Sequence, residues 1–80
     1  MKHSVGDWVD WIDNFGNGHI GPEWAARVES VDGDVVVARW WWPAHADHST
    51  GWKRVDGQFG RQSTMHSEEW VSVKKPADAP

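Results

Sequence analysis

Apolar residues in this chain fall in short runs that alternate with polar ones, and they rarely keep the three- and four-residue spacing of an amphipathic helix. Val5-Gly-Asp-Trp-Val-Asp-Trp-Ile12 predicts a first strand, and the glycine-rich stretch from Asp13 to Pro22 predicts a loop. The clearest signal runs from Arg27 to Arg39, where two β-rich runs are joined by Asp32-Gly33. That dipeptide predicts a two-residue hairpin turn, because both of its central positions need positive φ. Residues 43–51 read as a second loop with room for one helical turn. Residues 52–59 and 69–74 read as two further strands, separated by the polar stretch Gly60 to Glu68. Residues 1–73 thus predict a single all-β domain, a small antiparallel β-barrel of about five strands, followed by a flexible tail over 74–80.

Hairpin parity assigns faces. With Val31 opposite Asp34, one face carries Trp24, Ala26, Val28 and Ser30 against Trp41, Arg39, Val37 and Val35. The other carries Ala25, Arg27, Glu29 and Val31 against Trp40, Ala38, Val36 and Asp34, with Trp42 beyond Trp40. Fewer charges and a central Val pair make the first the expected core face, which turns Trp40 and Trp42 outward. A bulge near Ala38 or Arg39 would exchange these roles, since a one-residue slip flips every side chain.

Composition changes this picture in one respect. The chain has 80 residues, eight of them Trp, with ten Val and no Leu, Tyr or Cys. So few aliphatic residues alone would suggest disorder. Each buried Trp, however, removes on the order of 150–250 Å² from water, so tryptophan replaces leucine as core. A domain this short buries about 60% of its unfolded surface, which favours a shallow binding surface over an enclosed active site. Without cysteine there is no disulfide framework and no thiolate chemistry.

The net charge is −4, and the basic residues are scattered, whereas nucleic-acid binding wants a clustered basic face. Neither a signal peptide nor an 18-residue apolar span is expected, and a cytoplasmic location is the natural reading.

Candidate chemistry centres on tryptophan. Trp40, Trp42, Trp24 and Phe15 at the barrel rim would form an aromatic patch. With carboxylates such as Asp10, Asp13 and Glu23 nearby, such a patch holds a cation; equally, it anchors a protein partner. For Trp8, Trp11, Trp41, Trp70 and Val37 the core reading comes first, while for Trp40 and Trp42 core and patch stand level. His45-Ala-Asp-His48 suggests a metal pair, with His66 or His19 as a third ligand, but polar loop histidines explain it more simply. Ser63-Thr64 beside His66 and Glu68-Glu69 lacks the setting of a nucleophile. Phe15-Gly-Asn-Gly-His-Ile-Gly21 lacks the Lys-Ser or Lys-Thr of a phosphate loop. No enzyme, cofactor or metal site is expected.

Val5-Gly-Asp-Trp-Val, followed by Trp24-Ala-Ala-Arg-Val-Glu-Ser-Val-Asp-Gly-Asp-Val-Val-Val37, resembles the opening of SH3-like barrels of the Tudor and bromo-adjacent homology type. Trp40-Trp-Trp-Pro43 and Ser67-Glu-Glu-Trp-Val-Ser-Val73 extend the likeness over most of residues 4–73. The resemblance implies an SH3-like barrel with a recognition role, its aromatic-cage positions falling on Phe15, Trp24 and one of Trp40 to Trp42. The Asp-Tyr-Gly often found after the third strand of Tudor modules is missing, and the chain is shorter than bromo-adjacent domains.

Richness in Ala, Asp, Gly, Val, Arg and Trp also looks like high-GC bacterial or phage coding. The expectation is a non-enzymatic module, monomer or homodimer, that engages a protein or peptide through Phe15, Trp24, Trp40, Trp42 and Asp13. The alternative is a small acidic phage or bacterial accessory protein that inhibits a host protein or mimics nucleic acid.

Overall fold

Alternation built on Val36, Ala38 and Trp40 organises the molecule. In the computed structural model, which describes residues 3–12, 24–47, 49, 51 and 53–80, these three side chains are buried in the middle of a five-stranded sheet. The strands are β1 (Trp8–Trp11), β2 (Ala26–Asp32), β3 (Val35–Trp42), β4 (His45–Asp47), β5 (Lys53–Val55), β6 (Gln58–His66) and β7 (Trp70–Ser72). The main sheet runs β6-β3-β2-β1-β7, and β4 and β5 form a separate two-stranded ladder. Every pairing is antiparallel.

A single 3₁₀ turn, Ser67–Glu69, carries the chain from the edge strand β6 to the opposite edge strand β7. In a flat sheet those edges lie four spacings apart, about 19 Å, whereas a three-residue 3₁₀ turn advances only about 6 Å. The sheet is therefore strongly twisted and curled. The rings of Trp8 on β1 and Phe59 on β6 show the same curl, standing 6.1 Å apart although two strands lie between theirs. No ladder joins β6 to β7 among the described residues, so the sheet stays open and does not close into a barrel.

The hairpin forms, but one residue further on than the sequence suggests. Asp32 pairs with Val35, leaving Gly33 at φ 58° and Asp34 as the turn residues. Beyond Ser30↔Val37 the register shifts, and Val28 pairs with Ala38. Glu29 is thus an extra residue on β2, a bulge that flips the alternation. Ala26 and Val28 join Ala38 and Trp40 on the buried side, and the core becomes Val9, Ala26, Val28, Val36, Ala38, Trp40 and Trp70. The face expected to be core on β3 is the other one: Val35 is exposed and Val37 half-buried. The exchange anticipated for a bulge does occur, but its bulge sits on β2.

The stretch expected to separate two strands, Gly60 to Glu68, contains most of β6 and the 3₁₀ turn. Its polar residues tolerate this because β6 is an edge strand. Ser63 and Met65 point to the half-buried side, and β3 supplies the backbone partners. The turn itself is clamped to the hairpin tip. Ser67 donates its N–H to the Asp34 carbonyl at 2.7 Å, and His66 Nδ1 and Ser67 Oγ both lie 3.1 Å from the Asp34 carboxylate. The Glu69 carboxylate accepts the His66 N–H at 2.9 Å.

Residues 74–80, read from sequence as a flexible tail, lie against the sheet with Pro76 and Ala79 buried. Asp78 accepts the Trp41 indole N–H at 3.1 Å and the Ala44 N–H at 3.0 Å. These bonds, the Ala44 N–H first and the Trp41 indole second, hold the Asp78 carboxyl below its ordinary value of 3.8. A depressed pKa means that the ionised group is favoured in the folded state. Its contribution is present above the unfolded value and lost as pH falls through the folded one. The terminal segment is expected to stay docked at neutral pH and to release only below about pH 3.8. The Trp41 indole N–H resonance followed through an acid titration reads this directly. An Asp78→Asn variant with the same titration would count against it.

Candidate functional site

Three consecutive tryptophans divide between the two sides of β3. Trp41, on the side away from the core, is buried against Phe59 at 5.1 Å, and Phe59 also carries the Arg27 guanidinium 4.4 Å above its ring. Close by, the bulged Glu29 accepts hydrogen bonds from Gln62 at 2.6 Å and Arg39 at 3.2 Å. Gln62 first, and Arg39 after it, draw the Glu29 carboxyl below its ordinary range. Arg39 also donates to the Gly60 carbonyl at 2.7 Å, which steadies the register shift in β6 opposite Trp40.

Trp40 and Trp42 share the other side, where the sheet carries an open groove of about 290 Å³ lined by Trp11, Trp24, Trp40, Trp42, Arg61 and Ser63. Two edge-to-face pairs build it, Trp24 on Trp42 at 5.2 Å and Trp11 on Trp40 at 5.2 Å. Such pairing fixes ring orientation beyond what area burial alone would do. The floor is continuous with the core: Trp40 packs on Trp70 at 5.8 Å and donates its indole N–H to Ser63 Oγ at 2.9 Å. The Trp42 ring covers Gly60, so close that a Cβ there would overlap the indole.

Of the residues predicted from sequence, Trp24, Trp40 and Trp42 meet at this groove. Trp40 is not the outward rim residue that parity suggested. It is 5% exposed and shows the groove one edge of a core side chain, whereas Trp42 is 39% exposed. Phe15 and Asp13 lie outside the described residues, as do Glu23, His19, His48 and Trp52. Asp10 is buried and accepts the Trp11 N–H at 2.7 Å, so it does not face a ligand at the surface. Ser63 serves as the acceptor for Trp40. Among the described residues no three metal-ligating side chains converge.

Sequence reasoning missed Trp11 and Arg61. Trp11, assigned to the core, is 39% exposed at the end of β1. Its position two residues after Val9, on the same face of the strand, was the available signal. Arg61 carried none, because its segment was not read as a strand.

No known protein family, curated protein or solved structure matches this chain. Among the described residues no helix is long and apolar enough to cross a membrane.

Proposed function

We propose that this chain is a non-enzymatic binding module, built on an SH3-like frame, that engages a protein or peptide through the tryptophan groove. The carrying observation is the gathering of four indoles around one open cleft, two of them 39% exposed. Exposed tryptophan beside a packed, mostly apolar floor is the setting in which a few residues dominate binding energy. The frame is supported by the strand order, in which the last strand returns beside the first and one 3₁₀ turn joins the two sheet edges.

Trp42→Ala is expected to leave the fold intact, because the ring lies outside the buried core, and to abolish partner capture from the source lysate. Far-UV circular dichroism and mass spectrometry of the captured proteins check the two halves. An unfolded variant, or one that captures the same proteins as wild type, defeats the reading. Salt separates it from the alternative of an acidic accessory protein, of phage or bacterial origin, that inhibits a host protein or mimics nucleic acid. Contact through indoles is only weakly salt-dependent, whereas an acidic-surface interaction falls steeply as salt rises.

A further inference from the structure

We propose that the occupant of the groove is a peptide segment in which a bulky apolar side chain is followed, within two residues, by a single carboxylate that pairs with Arg61. This deepens the binding reading above and rests on it. Among the described lining residues Arg61 is the one charged group, and it is exposed. It follows Gly60 directly in β6, and Gly60 is the residue over which the Trp42 ring lies. Arg61 therefore lines the cleft beside the aromatic wall, where its guanidinium is within reach to hold a carboxylate in a planar, charge-assisted pair.

The same cation makes the groove a poor cage for methyl-lysine or methyl-arginine. Among the described lining residues no carboxylate offsets it, and Asp10 is buried and already bonded. Charge also limits how acidic the partner can be. The chain carries −4 overall, so a long acidic run is repelled while one carboxylate aimed at Arg61 is not. The groove, at about 290 Å³, stands at the small end of ligand sites and suits one inserted side chain. In an extended peptide, residues two apart share a face and lie about 6.6 Å from each other, so the same segment presents both groups.

The test uses acetyl-Gly-Phe-Gly-Asp-Gly-amide and its counterparts with Asn or Lys in place of Asp, titrated into the full chain while the indole N–H resonances of Trp24 and Trp42 are followed. The Asp peptide is expected to bind about threefold to tenfold tighter than the Lys peptide. In Arg61→Gln that gap should close, and in Arg61→Lys part of it should return. Equal binding of all three peptides, tighter binding of the Lys peptide, or a gap that survives in Arg61→Gln overturns the pairing and leaves the groove reading standing. Failure of every peptide to move either resonance overturns both.

Discussion

Alanine in place of Trp70 is expected to remove about 3–5 kcal/mol of stability, a large share of the roughly 5–15 kcal/mol available to a domain of ordinary stability. Trp70 is wholly buried on β7, packs on Trp40, and donates its indole N–H to the Val36 carbonyl at 3.3 Å. That bond ties the last strand to β3, which is not its neighbour in the sheet. Truncation both opens a cavity and strips a partner from a buried carbonyl. Equilibrium urea unfolding measures the loss, and Trp70→Phe, which restores a ring but not the donor, should fall between the two. A loss below about 1 kcal/mol, the scale of an ordinary surface change, would mean that Trp70 does not hold the sheet in its curled form.

Valine at Gly60 is expected to act in the opposite sense, sparing the fold and destroying the groove. Gly60 lies in an edge strand, at its register shift, and its φ is outside the left-handed region, so the backbone accepts a β-branched residue. The new side chain cannot coexist with the Trp42 indole, which now covers the glycine. Trp42 must swing away and give up its edge-to-face contact with Trp24. The expected cost is about 1–3 kcal/mol from overpacking, with partner binding lost entirely. Melting by circular dichroism, together with the Trp42 indole resonance, reports the two effects separately. If Gly60→Val bound its partner as the wild type does, the position of Trp42 over β6 would be irrelevant to recognition.

Local chemistry made part of this molecule legible. Asp32-Gly33 marked the hairpin because few residues accept positive φ, and Gly33 does adopt it. The Val-rich run marked β3, and Val5 to Ile12 contained β1. What escaped was set by tertiary contacts. Nothing about Glu29 announces a bulge; it is an acidic residue between Val28 and Ser30, held by Arg39 across the hairpin and by Gln62 from the distant strand β6. That single insertion moved Trp40 from the predicted rim to the core. β6 escaped for a related reason, since an edge strand with one half-buried face carries little hydrophobic signal. The groove was half visible: hairpin parity and rim position point to tryptophans 24, 40 and 42, which do line it, whereas Trp11 comes from β1, two strands from β3, and Arg61 from the neighbouring β6, whose polar stretch gives no strand signal.

Tryptophans 40, 41 and 42 have a consequence for how this protein reports on itself. Their indole nitrogens meet different chemistry, a serine hydroxyl for Trp40, a carboxylate for Trp41, and for Trp42 the close approach to Gly60. A slip of β3 by one residue would permute all three environments at once. Strand register, ordinarily invisible in solution, is thereby written into three proton frequencies, so that a sliding strand, a released terminus and an occupied groove each leave a different signature.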